Sequence, residues 1–156
     1  MNYWLMKSEP DVFGIAHLKA RPGKTAPWDG VRNFQARNFM RAMQRGDLAF
    51  FYHSSCAEPG VAGVVKIVKD AYPDHTAWDK RSGHYDARST PAKPYWYMVD
   101  VKLVREFARP VSLRAIKACA TLKQMRLVQR GSRLSVMPVT AQEWKIILDQ
   151  EQEKAK

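Results

Sequence analysis

Six consecutive residues, Leu48-Ala49-Phe50-Phe51-Tyr52-His53, constrain this chain more than any other stretch. Side chains of a strand project alternately to its two faces, and here both sets are apolar as far as His53. Such a strand is stable only when buried on both sides, so the sheet that holds it needs cover on each face. Other segments read as its neighbours. Tyr3 to Lys7 is a mixed aromatic and aliphatic strand stopped by Ser8-Glu9-Pro10. Val61 to Val68 is a second apolar run in which Gly63 marks a bulge or a close approach. From Tyr95 to Val104 the odd positions Tyr95, Tyr97, Val99, Val101 and Leu103 take one face, with Asp100 and Lys102 on the other. Leu134 to Val139 is a last strand, and Pro138 assigns it to an edge.

Helices fall between these strands. A short one is expected around Val12 to Lys19, with Ile15 and Leu18 facing inward. Asn33 to Arg45 carries Ala36, Phe39, Met40 and Met43 at helical spacing, with Gly46 as the stop. Ser112 caps a helix running to Cys119, and a turn or two follows from Leu122 to Val128. Thr140 and Glu143 form a capping box for a final helix whose Trp144, Ile147 and Leu148 face the core. Arg21 to Pro27 reads as loop, and Asp70 to Pro94 as a long irregular stretch, a length that in compact proteins is usually functional. Five or six strands with short helices between them predict an α+β fold, a curled sheet or open pseudo-barrel ringed by helices. One domain is expected over residues 1–150, followed by a frayed polar tail over 151–156.

Charge narrows the class of partner. Formal net charge is +11, from 26 Lys and Arg against 15 Asp and Glu. Net charge alone also serves solubility, but here arginines recur at Arg37, Arg41 and Arg45 along one side of a predicted helix, the pattern of a polyanion-binding face. Directly before that helix lie Trp28, Asp29, Gly30, Val31, Arg32 and Asn33. The opening turn of a helix offers unpaired N–H donors, and an indole beside them can stack a base. Arg32, Arg37 and Arg41 are the expected phosphate contacts, against the blander reading of a solvated helix face. Cys56 and Cys119 are distant from one another and define no disulfide framework, which points to a reducing compartment. No run approaches the ~20 apolar residues needed to span a bilayer. The expectation is a protein of the cytoplasm, or of the nucleus in a eukaryote, with no membrane partner and a monomeric or weakly dimeric state.

Several longer motifs, in order, resemble one family. Tyr3-Trp4-Leu5-Met6-Lys7-Ser8-Glu9-Pro10, Trp28 through Asn33, Phe51-Tyr52-His53-Ser54, Gly60-Val61-Ala62-Gly63, Ala71-Tyr72-Pro73-Asp74 and Arg133 through Val139 look like the EVE domain. The resemblance spans Met1 to about Leu148. It implies a PUA-like fold, related to the YTH domains that read methylated RNA. It also implies a pocket for a modified base, modified cytosines above all, on DNA or RNA. The expected base pocket comprises Lys7, Ser8, Glu9, Trp28, Gly30, Val31, Asn33, Ser54, Ser55, Arg133, Leu134 and Ser135, with the last three placed there by the resemblance.

Each position also has a structural reading. Trp28 can be a core indole, although the flanking Pro27 and Asp29-Gly30 favour a loop rim. Polar residues commonly end strands, as Lys7, Ser8 and Glu9 do here. Asn33 can cap the helix. Tyr72, Trp78 and Tyr85 offer stacking surfaces on the long loop. His53-x-x-Cys56 has no partner pair, and His75, Asp79, His84 and Asp86 lack helical ligand spacing, so no metal and no cofactor are expected. No nucleophile elbow or phosphate-cradling glycine loop is present. The expected function is a non-catalytic reader of a modified base. The alternative is an enzyme acting on a nucleotide or altered base with His53 or Glu9 as general base.

Overall fold

The computed structural model describes residues 1–155, and in it the two most apolar strands lie side by side. β1 (Tyr3–Ser8) runs parallel to β3 (Leu48–His53), pairing Tyr3 with Leu48 and Ser8 with His53. β4 (Gly60–Pro73) and β5 (Tyr97–Ser112) continue antiparallel from β3. The edges are β2 (Thr25–Pro27) beside β5 and β6 (Val136–Val139) beside β1, giving the order β2-β5-β4-β3-β1-β6. The expected α+β fold is therefore a six-stranded mixed sheet.

Alternation sorts the core into two clusters, one on each face of the sheet. Trp4, Met6, Ala49, Phe51, Val65, Val99 and Val101 pack on one face, against Ile15 and Leu18 of α2 (Ile15–Ala20) and Ala36 and Met40 of α3 (Phe34–Ala42). Leu5, Phe50, Tyr52, Val64 and Met137 pack on the other. There they meet Ile116 of α4 (Leu113–Ala118) and Trp144 and Ile147 of α5 (Ala141–Ala155). The Phe50 ring stacks on Trp144 at 3.9 Å between centroids. The double-sided burial required of Leu48–His53 is thus met by helices on both faces.

Three elements differ from the sequence expectation. The first helix splits at Gly14 into α1 (Pro10–Phe13) and α2, because Gly14 and Ile15 donate their N–H groups to His17 Nδ1 and His53 Nε2. α3 ends at Ala42, not at Gly46. Gln44 N–H is drawn to the buried Asp47 carboxylate, which also accepts from Trp4 Nε1 and Asn2 N, while Gly46 donates to Ile67 O. Arg45 accordingly lies off the helix that was to carry it. Thr25 to Pro27 is strand rather than loop because it pairs with Asp100–Lys102.

The long strands also outrun their patterns. Asp70 to Pro73 extends β4, and Arg105 to Ser112 extends β5, through segments whose polar residues broke the apolar alternation. Glu151 is not in a frayed tail: α5 continues past it, and its carboxylate, 4% exposed, accepts from Arg105 Nη1 at 3.0 Å. Other expectations hold. Ser112 caps α4, Thr140 and Glu143 make reciprocal hydrogen bonds, and Pro138 sits on the edge strand.

Gly63 fulfils both of its readings. The β4–β5 register shifts beside it, and an added Cβ would sit 2.4 Å from Arg105 O and 2.5 Å from Ile15 Cδ1. Backbone on one side cannot yield, so Gly63→Ala is expected to cost about 2–3 kcal/mol, read as a lowered denaturant midpoint at unchanged m.

Candidate nucleic-acid interface

Because β1 and β3 are parallel, their C-terminal ends emerge on the same side of the sheet, and Ser54 N–H donates to Ser8 O across them. Lys7 N–H donates to Ser135 O, which brings the approach to β6 to the same place. Over these ends opens a cleft of about 810 Å³, within the usual range for ligand sites. Lys7, Ser8, Glu9, Ser54, Ser55, Arg133 and Ser135 line one part of it; Trp28, Gly30, Val31 and Arg32 line another. Most of the residues singled out from sequence therefore converge on one opening. Asn33 and Leu134 do not line it. Asn33 Oδ1 accepts from Ala36 N at 2.9 Å and caps α3, whereas Leu134 packs against the core clusters.

Trp28 is more enclosed than a loop rim. It is 6% exposed, edge-on to Phe51 at 5.2 Å and to Phe13 at 6.3 Å, and belongs to the core. Among the described residues its Nε1–H has no protein partner, yet that atom is not sealed from solvent. The indole is thus a wall of the cleft, fixed by packing, with a polar atom left over.

The turn that carries it is held by Asp74. This carboxylate is fully buried and accepts from Gly30 N at 2.8 Å, Arg32 Nη1 at 3.0 Å, and Thr76 N and Oγ1 at 2.9 and 2.6 Å. Burial alone would raise its pKa, but these donors outweigh it and hold the carboxyl below its usual value. Gly30 has φ +81°, a backbone conformation that favours glycine, and a Cβ there, 2.7 Å from His84 Nε2, would also displace the His84 ring.

That arrangement commits most of the Arg32 guanidinium, an expected phosphate contact, within the protein. Besides Asp74, its guanidinium donates to Val31 O, His84 O and Thr76 Oγ1, which leaves one N–H of Nη2 without a bond among the described residues. Arg37 is half-buried and donates to Tyr95 O and Asn38 Oδ1. Arg41 is exposed, 4.6 Å over the Tyr97 ring. Sequence reasoning missed Arg21, Val12 and Phe13 in the cleft lining and considered His75 and His84 only as metal ligands. Arg21 and the histidines lie on segments of no regular period, so only the fold reveals them. No group of potential metal ligands forms among the described residues.

Ionisable groups in the cleft and on the neighbouring strand β3 are tuned by burial. Lys7, half-buried, has its pKa lowered by desolvation, and Tyr52 beneath it is pushed up to about 12 by burial. His53 is lowered too, by burial, with Glu106 opposing. Its Nε2 lone pair accepts from Ile15 N at 3.1 Å, so the atom a general base would use is already engaged. Ser8 Oγ donates to Phe13 O at 2.7 Å and spends its proton on α1. Ser55 holds φ +53°, a left-handed backbone uncommon for serine, at the cleft wall.

An α+β sheet whose parallel strand ends open into a basic, indole-walled cleft defines a PUA-like fold with a candidate ligand site. The chain belongs to the EVE domain family, whose family model matches residues 2–150. Thymocyte nuclear protein 1 of Homo sapiens is 47% identical over 98% of this chain and 75% of its own length; that of Danio rerio is 50% identical over 96% and 72%. A crystal structure of a Pseudomonas syringae protein is 56% identical with TM-score 0.92, covering 96% of this chain and 99% of that one. The human THYN1 protein, solved in complex with 5-methylcytosine containing DNA, is 48% identical with TM-score 0.93, covering 97% and 98%. ZmASCH from Zymomonas mobilis, at 11% identity and TM-score 0.53, shares the fold alone. No helix among the described residues is long and apolar enough to cross a membrane.

Two outcomes follow from this geometry. Asp74→Ala, which strands the Gly30 N–H and the Arg32 guanidinium, is expected to cost about 3 kcal/mol in chemical denaturation, and Asp74→Asn less, since it keeps an acceptor. His53 has a folded pKa below its unfolded value near ~6.5, so its contribution is full above that value and is lost as pH falls through the folded pKa. The melting temperature is expected to drop from about pH 7 to about pH 5, and by less in His53→Gln.

Proposed function

We propose that this protein binds DNA carrying a modified cytosine and receives the extruded base in the cleft, without chemical conversion of it. The observation that carries the proposal is the convergence of a fixed indole wall and free polar atoms at the mouth of a basic fold. The complex of a protein 48% identical with 5-methylcytosine containing DNA supports the choice of ligand. In this reading Trp28 packs against the base, and Lys7, Glu9, Ser54, Ser135 and Trp28 Nε1 supply donors and acceptors to its edge. Arg21, Arg133 and Arg41, whose side chains are exposed, meet phosphates.

Energetics set the scale of selectivity. Extrusion costs a few kcal/mol, which stacking at ~1–3 kcal/mol and edge hydrogen bonds must exceed. One methyl group adds ~0.8 kcal/mol of burial, so preference over unmodified cytosine is expected to be only about fourfold. Since Trp28 is a core residue, the clean test fills the cleft instead. Ser54→Phe is expected to abolish the preference for a 5-methylcytosine duplex over the unmodified duplex and to weaken binding at least about tenfold, with the melting temperature retained. Preference that survives in a folded Ser54→Phe protein rejects the cleft as the base site. Affinity of the wild type is also expected to fall steeply with salt, as counterions are released.

A further inference from the structure

Among the described residues, Met1, Val12, Phe34, Tyr85 and Val104 are the large apolar side chains left exposed. Val12 lines the cleft, while Phe34 and Tyr85 do not line it but are close in sequence to Arg32 and His84, which do. Phe34 is the one that the fold braces. It opens α3 and is 46% exposed, yet its ring stacks on Trp96 at 4.7 Å and 22°. Trp96 is itself buried and donates its indole N–H to Asp86 Oδ2 at 2.8 Å. Arg32, in the cleft wall, places its guanidinium 5.5 Å from the same Trp96 ring, which ties the brace to the cleft.

Charge surrounds the ring as well. Arg37 and Arg88 hold their guanidinium carbons 4.8 and 5.9 Å from its centroid. Each is itself anchored, Arg37 to Tyr95 O and Arg88 to Asp86. A half-exposed ring flanked by two cations is poorly matched to an apolar protein partner, because docking would bury both charges. It is well matched to duplex nucleic acid, where stacked bases lie between rows of phosphates.

We propose that Phe34 is a wedge that enters the base stack of duplex DNA beside the cleft and fills the gap left by the extruded base. This rests on the reading of the cleft as the base site. Extrusion leaves two neighbouring bases unstacked, and a ring already held rigid restores part of that contact at little cost in side-chain entropy.

The test measures binding of wild type, Phe34→Ala and Phe34→Leu to two probes: a duplex with one central 5-methylcytosine, and its modified strand alone. Phe34→Ala is expected to weaken duplex binding about tenfold and single-strand binding by less than about twofold, because a single strand has no gap to fill. Phe34→Leu, which keeps apolar bulk, is expected to retain most of the duplex affinity, and melting curves confirm that both variants fold. Equal losses on both probes, or none on the duplex, overturn the wedge. If Ser54→Phe also leaves the preference for the modified duplex intact, the cleft reading fails with it; if preference is lost there but Phe34→Ala binds the duplex like wild type, the wedge alone fails.

Discussion

A single buried carboxylate organises the cleft end of this molecule. Asp74 follows the end of the long β4, and besides Thr76 beside it, its donors Gly30 and Arg32 come from a turn more than forty residues earlier. An unpaired charge in that position would be intolerable, so the two segments cannot part without stranding it. Gly30, Arg32 and Thr76 therefore share one geometry, and Trp28, just before this turn, is held by its N–H to Val99 O and by Phe13 and Phe51. The cleft wall is made rigid by electrostatics on one side and by the edge-on contacts of Phe13 and Phe51 on the other.

The sheet supplies the complementary wall. Parallel pairing of β1 with β3 brings two strand ends together, and the antiparallel β6 returns Arg133 to Ser135 to the same edge. Helices on both faces lock this arrangement from each side of the sheet. A ligand site at converging strand ends needs no large movement of the scaffold. Lys7 and Ser8 there belong to β1, and backbone hydrogen bonds tie Ser54 and Ser135 directly to it.

Much of this was legible in the sequence where one period dominates. The double-sided strand at Leu48–His53, the caps at Ser112 and Thr140, and the edge proline at Pro138 all follow from local chemistry that tertiary structure did not override. The motifs around Lys7, Trp28, Ser54 and Ser135 pointed to residues that do line one cleft. The errors are instructive because each has a tertiary cause. Arg32 looked like a free cation because its partner Asp74 is distant in sequence. α3 appeared longer because Asp47, which draws the chain away, lies beyond the helical pattern. Trp28 looked like a rim residue because its neighbours are loop-forming, while Phe13 and Phe51, which enclose it, belong to other elements. The late part of β5 was hidden because its exposed, charged residues interrupt the alternation.

Both outer strands of the sheet are short, and each contains a proline, Pro27 in β2 and Pro138 in β6. A proline has no N–H to offer a neighbouring chain, and three or four residues give too little length to template one. The six-stranded platform therefore ends in two blunted margins. Growth of the sheet by edge-to-edge association between copies is discouraged at either side, which allows a strongly apolar central pair of strands without an aggregation-prone border.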